Sequence, residues 1–292
     1  MSLQKKEIDL LDEIARASIT VISHDAGGAN VLEAFIRANH LSVSDFLVSG
    51  PAAEIFNLEK KLASRNNPPK QNIFLASTGW QTDFEISQIH TAITKNERVI
   101  VFLDHWSNFE QRLKLNSEDV HVREIVTFDE KAKSLATSAF RESEVFCFTN
   151  YYLDEQSRGI SELRLKKPQY NYDFLFIGEP IRGKNYSEED AFRFFVSKIR
   201  ESWNKHPTVA IRPHPSQPRE KYLTLAATFT DISIEVTEGT SLQIDLSDSK
   251  YVVGCTSMAL ELARMSGITV YSAVPESEED PTQVTPLSKW KL

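Results

Sequence analysis

Residues 19–38 read ITVISHDAGGANVLEAFIRA: a short apolar run, a turn with two adjacent glycines, and apolar residues at helical spacing. The β-branched run at 19–22 predicts a strand, and the VLEAFIRA segment predicts an amphipathic helix. The same succession of strand, turn and helix recurs along most of the 292 residues. Alternating strands and helices favour a parallel sheet in which each helix crosses from one strand to the next.

Further strands are predicted in two blocks of the chain. They are expected at 46–48, 73–75, 98–103, 124–127 and 145–148 in the first block, and at 173–177, 208–212, 232–236, 251–253 and 269–271 in the second. Most of these runs are continuously apolar, which is typical of strands covered on both faces. We therefore predict an α/β fold of two facing, Rossmann-like domains, each a doubly wound parallel sheet, with a cleft between them.

The strand–helix pattern lapses once, over residues 151–172, where no sustained strand is predicted. We expect an amino-terminal domain over 1–150, a junction over 151–172, and a carboxyl-terminal domain over 173–272. Residues 273–292 are polar and rich in proline, which predicts a tail that wraps the surface.

Composition and charge exclude several classes of protein. Hydrophobic residues make up 41% and charged residues 25%, as in ordinary globular proteins, so disorder is not expected. A formal net charge of -8 argues against a nucleic-acid partner, because binding phosphate backbones needs a basic surface. Two cysteines imply no disulfide framework. With no apparent signal peptide or transmembrane segment, the sequence predicts a cytoplasmic protein, or one peripheral to the inner membrane face.

Acid and base side chains follow two strands of the first block. His24 and Asp25 come directly after the first strand, and ligands of open parallel sheets bind outside the carboxyl ends of strands. We predict Asp25 or His24 as the catalytic group that removes a proton from an acceptor hydroxyl. The residues expected to line the acceptor side of the cleft are Gly27, Gly28, Asp104, His105 and Trp106.

Each of these residues also has an ordinary structural interpretation. Asp25 could cap the following helix, the two glycines could serve only the turn, and Trp106 could be a core residue. The histidines and aspartates at the strand ends could in principle bind a metal ion. Their spacing matches no common ligand pattern, so no metal is predicted.

In the second block, the strand at 208–212 runs into Arg212-Pro213-His214-Pro215-Ser216. The two prolines restrict the backbone and hold His214 in one extended presentation. The forked guanidinium of Arg212 suits a phosphate group, and a protonated imidazole would add a second charge-assisted hydrogen bond. We predict that both side chains bind phosphate; the alternative is a turn with a surface histidine.

The segment GCTSMALEL, residues 254–262, places two hydroxyls at the start of a predicted helix. Thr256 or Ser257 would be an ordinary N-cap. The same hydroxyls and the free N–H groups of the helix could also hold a phosphate, with up to about 1 kcal/mol from the helix dipole. Glu261, one turn further on, would contact a ribose or sugar hydroxyl, or solvent.

The strand–RPHP segment, the SDSKYVVG strand at 247–254 and the following TS–helix resemble the carboxyl-terminal half of GT-B-fold glycosyltransferases. The resemblance is greatest to bacterial groups with an HP motif and a Ser/Thr motif, namely sialyltransferases, polysialyltransferases and glycerophosphotransferases that use CDP-glycerol. The FIGEP segment at 176–180 is similar to the strand that opens this domain in such enzymes. The resemblance assigns His214, Pro215, Thr256 and Ser257 to the phosphate of the donor nucleotide. We predict that Gly178 and Glu179 also contact this nucleotide.

The resemblance implies a metal-independent enzyme without a cofactor. It would transfer a sugar or glycerol phosphate from a CMP-, CDP- or UDP-linked donor to a glycan or lipid-linked hydroxyl, in surface-polysaccharide or lipopolysaccharide biosynthesis. The acidic Asp/Glu-Asp/Glu-Gly motif that carries the base in the sialyltransferases is not found in the first half, and Asp25 is predicted in its place. The alternatives are an epimerase acting on UDP-N-acetylglucosamine and a non-catalytic protein that binds nucleotide or glycan.

Overall fold

The computed structural model describes residues 4–57, 72–79, 82–106, 109–167, 169–181, 184–203, 206–239, 241–278, 282 and 284–290. The chain divides into two units, unit 1 over residues 1–152 and unit 2 over residues 153–292. Each unit is built on a six-stranded sheet whose strand pairs are all parallel, as the continuous apolar runs predicted.

In the described part of unit 1 the strands are β1 (Ser18–Ser23), β2 (Val43–Val48), β3 (Asn72–Ser77), β4 (Arg98–Phe102), β5 (Lys114–Leu115), β6 (Glu118–Asp119), β7 (Glu124–Thr127) and β8 (Glu144–Cys147). The helices are α1 (Lys5–Arg16), α2 (Ala26–Ala38), α3 (Pro51–Ile55), α4 (Phe84–Thr94), α5 (Phe109–Arg112), α6 (Glu130–Ala139) and α7 (Tyr151–Leu165), the last of which continues into unit 2. Strands β5 and β6 form a separate antiparallel pair.

The sheet of unit 1 has the strand order β2-β1-β3-β4-β7-β8. The chain places β2 on one side of β1 and all later strands of the sheet on the other side, so the winding reverses between β1 and β3. Every residue of β1 is buried, because two separate apolar clusters cover the sheet. Open α/β sheets bind ligands beyond the carboxyl ends of the strands at such a reversal. In unit 1 that place lies just after Ser23 and Ser77.

The described strands of unit 2 are β9 (Tyr172–Ile177), β10 (Thr208–Arg212), β11 (Ser233–Val236), β12 (Ser249–Gly254), β13 (Thr269–Ser272) and β14 (Thr285–Pro286). The helices that follow α7 in its described part are α8 (Glu188–Ser202), α9 (Arg219–Ala227), α10 (Leu242–Ser247), α11 (Met258–Met265) and a 3₁₀ helix at Leu287–Lys289. The strand order β11-β10-β9-β12-β13-β14 is that of the dinucleotide-binding Rossmann fold. Its winding reverses between β9 and β12.

The junction expected over 151–172, without a sustained strand, contains helix α7 from Tyr151 to Leu165, and the next strand begins at Tyr172. One segment differs from the sequence-based expectation. Segment 273–292, expected to be a polar tail on the surface, contributes β14 and buries Leu287 and Trp290 in the core of unit 2. The indole ring of Trp290 packs edge-on against Phe174, with 5.5 Å between ring centroids. A few apolar residues in a polar segment are therefore enough to complete this sheet.

Within the residues that the structure describes, no helix is both long enough and apolar enough to cross a bilayer. The same residues contain no group of three or more His, Cys, Asp or Glu side chains placed to hold a metal ion. Cys147 and Cys255 are both buried free thiols.

Candidate functional site

His24 and Asp25 lie where the winding of the unit 1 sheet reverses. The Nδ1 atom of His24 is 3.0 Å from Oδ1 of Asp25. The two side chains are 22% and 28% exposed, so both reach solvent although the strand before them is buried. A carboxylate that holds one imidazole nitrogen orients the ring for proton transfer. The geometry is therefore compatible with the acid–base role predicted for this pair.

Glu85, in the first turn of α4, connects the two loops at this position. Its side chain is 2% exposed and accepts hydrogen bonds from the backbone N–H of His24 at 3.0 Å, the hydroxyl of Ser77 at 2.6 Å and the backbone N–H of Gly79 at 2.6 Å. A buried carboxylate with three donors is a strong local constraint. The sequence analysis missed Glu85, because an acidic residue in a first helical turn is equally common on a solvated surface.

His24 and Asp25 each lie directly against a glycine from another segment. A Cβ added to Gly50 would stand 2.7 Å from Nε2 of His24, and Gly50 also has a positive φ of 55°. A Cβ added to Gly79 would stand within 3.0 Å of carboxylate oxygens of both Asp25 and Glu85. Only a residue without a side chain leaves this room. Neither Gly50 nor Gly79 was predicted as part of the site. Each follows a different strand from His24 and Asp25, so their proximity to these residues is not visible in the local sequence.

Asp104 reaches the same edge of the unit 1 sheet. A Cβ added to Gly27 would be 2.5 Å from its Oδ2 atom. The buried guanidinium of Arg112 donates to Oδ1 of Asp104 at 2.6 Å and to the carbonyl of Thr78 at 2.7 Å. The structure thus brings Asp104 close to the His24–Asp25 turn, with its charge paired.

The expectation that Trp106 forms a ligand-facing wall needs correction. Trp106 is 7% exposed, and its indole N–H donates to Asp129 at 2.8 Å while Asp129 caps α6. Trp106 is therefore a core residue, which was the structural alternative given by the sequence. His105 is half-buried, with its ring 5.4 Å from that of Trp106. Gly28 serves packing, because a Cβ there would be 2.6 Å from that of Ser77.

In unit 2 the start of α11 holds a carboxylate. The backbone N–H of Thr256 donates to Oε2 of Glu179 at 2.8 Å, and the Thr256 hydroxyl donates to Oε1. The hydroxyl of Ser257 accepts from the N–H of Ala259 at 3.2 Å, which makes Ser257 the N-cap. Glu179 follows β9 and Thr256 follows β12. Their contact therefore connects the two loops at the position where the winding of the second sheet reverses.

His214 has a defined tautomer when it is neutral. Its Nδ1 atom accepts a hydrogen bond from the backbone N–H of Ser216 at 3.1 Å, and an N–H group can only donate. The proton of the neutral ring is therefore on Nε2. Burial lowers the pKa of His214 below its ordinary value and favours this neutral form. Pro215, the next residue, is exposed.

Glu188, the first residue of α8, links the loops that follow β9 and β10. It is 4% exposed and accepts from the N–H of Glu179 at 2.5 Å, from the hydroxyl of Tyr222 at 2.9 Å, and from Lys221. The Tyr222 oxygen in turn accepts from the N–H of His214 at 3.3 Å. Burial raises the pKa of Tyr222, so its hydroxyl remains a donor. This network connects His214 to the loop that holds Thr256.

Two residues predicted to contact the donor are engaged elsewhere. Arg212 donates to the carboxylate of Asp245 in α10, which also accepts from Thr237. Glu261 pairs with Arg264 one turn along α11. The partner of Arg212 lies 33 residues away in the sequence, whereas the partner of Glu261 lies three residues along the same helix.

Gly178 allows the loop after β9 to pass close to its neighbours. Its N–H donates to the carbonyl of Arg212 at 2.8 Å, and a Cβ here would be 2.7 Å from the hydroxyl of Tyr222. Gly178 therefore supports the backbone of the site.

Glu179 makes a pH dependence of stability testable. Burial, the largest influence, raises the pKa of Glu179 above its ordinary value of 4.5. Because the folded state then binds a proton more tightly than the unfolded chain, this contribution to stability is complete below pH 4.5 and is lost as the pH rises through the folded pKa. We expect Glu179→Gln to lack this decline. Urea unfolding of wild type and Glu179→Gln between about pH 4 and 8 measures the free energy of unfolding of each protein. A difference in this free energy that does not change with pH would contradict the prediction.

No protein-family model matches this sequence, and no curated protein sequence matches it significantly. The fold does match solved structures. The UDP-GlcNAc 2-epimerase of Methanocaldococcus jannaschii, in complex with UDP-GlcNAc and UDP, is similar with a TM-score of 0.57 and 13% identity over 89% of this chain and 86% of that one. The UDP-GlcNAc 2-epimerase of Neisseria meningitidis, bound to UDP-GlcNAc, has a TM-score of 0.57 and 9% identity over 87% and 82% of the two chains. MnaA of S. aureus, in a structure with UDP, has a TM-score of 0.56 and 14% identity, and the match covers 87% of this chain and 78% of that one.

At such identities the likeness concerns the fold alone. It confirms the predicted fold class, an α/β protein with two Rossmann-like parallel sheets. The finer resemblance to sialyltransferases, polysialyltransferases and CDP-glycerol glycerophosphotransferases stays a prediction. The chain thus shares the two-sheet α/β fold of the UDP-GlcNAc 2-epimerases, which is also the GT-B-like arrangement expected from its sequence.

Proposed function

We propose that this protein binds a nucleotide-activated donor through unit 2 and transfers a sugar or glycerol phosphate from it to a hydroxyl acceptor. The acceptor would be a glycan or a lipid-linked saccharide of surface-polysaccharide or lipopolysaccharide assembly. What supports the proposal is that the two segments predicted to bind phosphate follow β10 and β12, the strands on either side of β9.

The observation that carries the proposal is the arrangement of three loops at the reversal of the second sheet. The loops with His214 and with Thr256 follow β10 and β12, and the strand between them, β9, ends at Gly178 and Glu179. Two strand spacings amount to about 10 Å, which side chains from both loops can bridge to one diphosphate. The Nε2–H of His214 and the N–H groups at the start of α11 are donors, as phosphate oxygens require.

The predicted acid–base pair is His24 and Asp25. Asp25 holds Nδ1 of His24, so either group can accept the proton of an acceptor hydroxyl as that oxygen attacks the donor carbon. For a sugar donor, the bond from that carbon to the phosphate oxygen breaks, and the negative charge moves to the departing nucleotide. For glycerol phosphate, the acceptor oxygen attacks the phosphorus atom of the glycerol phosphate instead, the P–O bond to the nucleoside monophosphate breaks, and that monophosphate leaves with the charge. Hydrogen-bond donors that are already positioned where this charge develops usually make the largest contribution to lowering the reaction barrier. His214 and Thr256 would be such donors.

A second candidate is an epimerase acting on a UDP-linked sugar. The observation in its favour is the fold, which matches UDP-GlcNAc 2-epimerases over most of both chains. Incubation with UDP-GlcNAc alone separates the two reactions, because an epimerase changes the sugar without an acceptor. A donor that binds and stays unaltered with every acceptor would instead favour a non-catalytic nucleotide-binding protein.

Calorimetric titration with CMP, CDP and UDP tests the binding step. We expect one nucleotide to bind, and His214→Ala or Thr256→Val to weaken it by about 10- to 100-fold, the effect of losing one hydrogen bond to a charged group. His206→Ala is the matched control, since His206 is an exposed histidine of the same unit. Absence of binding by all three nucleotides, or binding that both variants leave unchanged, would contradict the proposal.

A further inference from the structure

The donors that the proposed function assigns to a phosphate already have a negatively charged partner. The N–H and the hydroxyl of Thr256 both donate to the carboxylate of Glu179, which lies at the start of α11. A hydrogen bond from the backbone N–H of Ser257 also favours the ionised carboxylate. A carboxylate and a phosphate oxygen use the same donors and the same end of the helix dipole.

Two anions cannot share these donors at the same time. The donors point to one position, and a phosphate placed beside the ionised Glu179 would be repelled by it at close range. We propose that Glu179 is an internal competitor of the nucleotide, which occupies the phosphate position at α11 and must turn away before a diphosphate can bind. This inference rests on the proposed function and assigns a regulatory contact to the same site.

The backbone at Glu179 is held by hydrogen bonds that do not involve its side chain. The N–H of Glu179 is held by Glu188, and Gly178 before it is fixed by its bond to the carbonyl of Arg212. Only side-chain torsions of Glu179 need to change. Burial and the nearby charge of Glu188 both raise the pKa of Glu179, so its ionised form regains favourable hydration when it moves to solvent.

Substitution of Glu179 distinguishes competition from other roles. If Glu179 bound a sugar hydroxyl of the donor, or merely supported the start of α11, its loss would weaken nucleotide binding. If it competes, its loss strengthens binding, because Thr256 is released for the phosphate. The two interpretations predict changes of opposite sign.

The experiment is calorimetric titration of the full chain with UDP and with pyrophosphate. The proteins are wild type, Glu179→Gln, Glu179→Ala and the control Glu189→Gln, which removes an equal charge from an exposed side chain paired with Arg193. We expect both Glu179 variants to bind at least ten times more tightly than wild type, and the control to match wild type. Equal or weaker binding by both Glu179 variants overturns the inference while wild-type binding sustains the proposed function. If no protein binds either probe, both fail.

A measurement on the wild-type protein covers the case in which the Glu179 variants do not fold. The side-chain carboxyl carbon of Glu179 can be followed by ¹³C NMR during titration with UDP. We expect its signal to move toward that of a solvated glutamate as the Thr256 amide signal shifts. A Glu179 signal that stays constant while the Thr256 amide responds would overturn the inference.

Discussion

Alanine at position 79 is expected to abolish the function of the unit 1 site. The added methyl group would stand within 3.0 Å of carboxylate oxygens of both Asp25 and Glu85, so both must move. Overpacking of this kind costs about 1–3 kcal/mol. Displacing the proposed base by about 1 Å can lower the rate about 100-fold. We therefore expect Gly79→Ala to lose about 2 kcal/mol of stability and about 99% of the proposed transfer activity.

Urea unfolding and donor consumption measure these two effects. The control is Gly159→Ala in α7, where the new Cβ would lie 3.3 Å from the flexible end of Gln243. Replacing a helical glycine with alanine is stabilising by up to about 1 kcal/mol, so the control should be as stable as wild type or more so. A Gly79→Ala protein with wild-type stability would show that Asp25 does not occupy the position described.

Glu188→Ala is expected to be strongly destabilising for unit 2. Three donors, on Glu179, Lys221 and Tyr222, would lose their common acceptor in a region where Glu188 itself is 4% exposed. Leaving the donors of Glu179 and Tyr222 without an acceptor in this buried region is costly, and about 3 kcal/mol of stability should be lost. Nucleotide binding should also weaken, because the loop that carries His214 is attached to this network through Tyr222.

A graded series of variants tests this prediction by urea unfolding. Tyr222→Phe removes one donor of the network and should cost about 1 kcal/mol. Glu189→Ala removes the neighbouring exposed carboxylate and should stay within about 0.5 kcal/mol of wild type. The prediction fails if Glu188→Ala proves no more destabilising than Glu189→Ala.

The strands and helices were the most predictable features of this protein. The strands at 124–127 and 208–212 have the predicted limits in the structure, and a helix starts directly after Ser257 as predicted. These limits follow from local patterns, since apolar periodicity and capping residues act within a few positions. The continuous apolar runs also correctly indicated that the sheet of unit 1 is covered on both faces.

The side-chain partners within the candidate sites were much less predictable. Arg212 was expected to bind phosphate, yet it pairs with Asp245, 33 residues away in the sequence. Glu85 and Glu188 were missed, because an acidic residue in a first helical turn looks the same in the sequence whether it is solvated or is itself buried and accepts three hydrogen bonds. Trp290 was assigned to a surface tail, because its neighbours in the sequence are polar.

The sequence by itself determined the α/β class, the parallel pairing of the strands and the loops that carry the polar candidates, since all of these follow from short-range periodicity and turn chemistry. Only the tertiary structure decided which loops meet and which atoms they share. Glu179 and Thr256 are 77 residues apart, and they touch because the strand order places β9 beside β12. Whether a carboxylate is a ligand, a cap or an ion-pair partner depends on such distant neighbours, and local sequence does not contain that information.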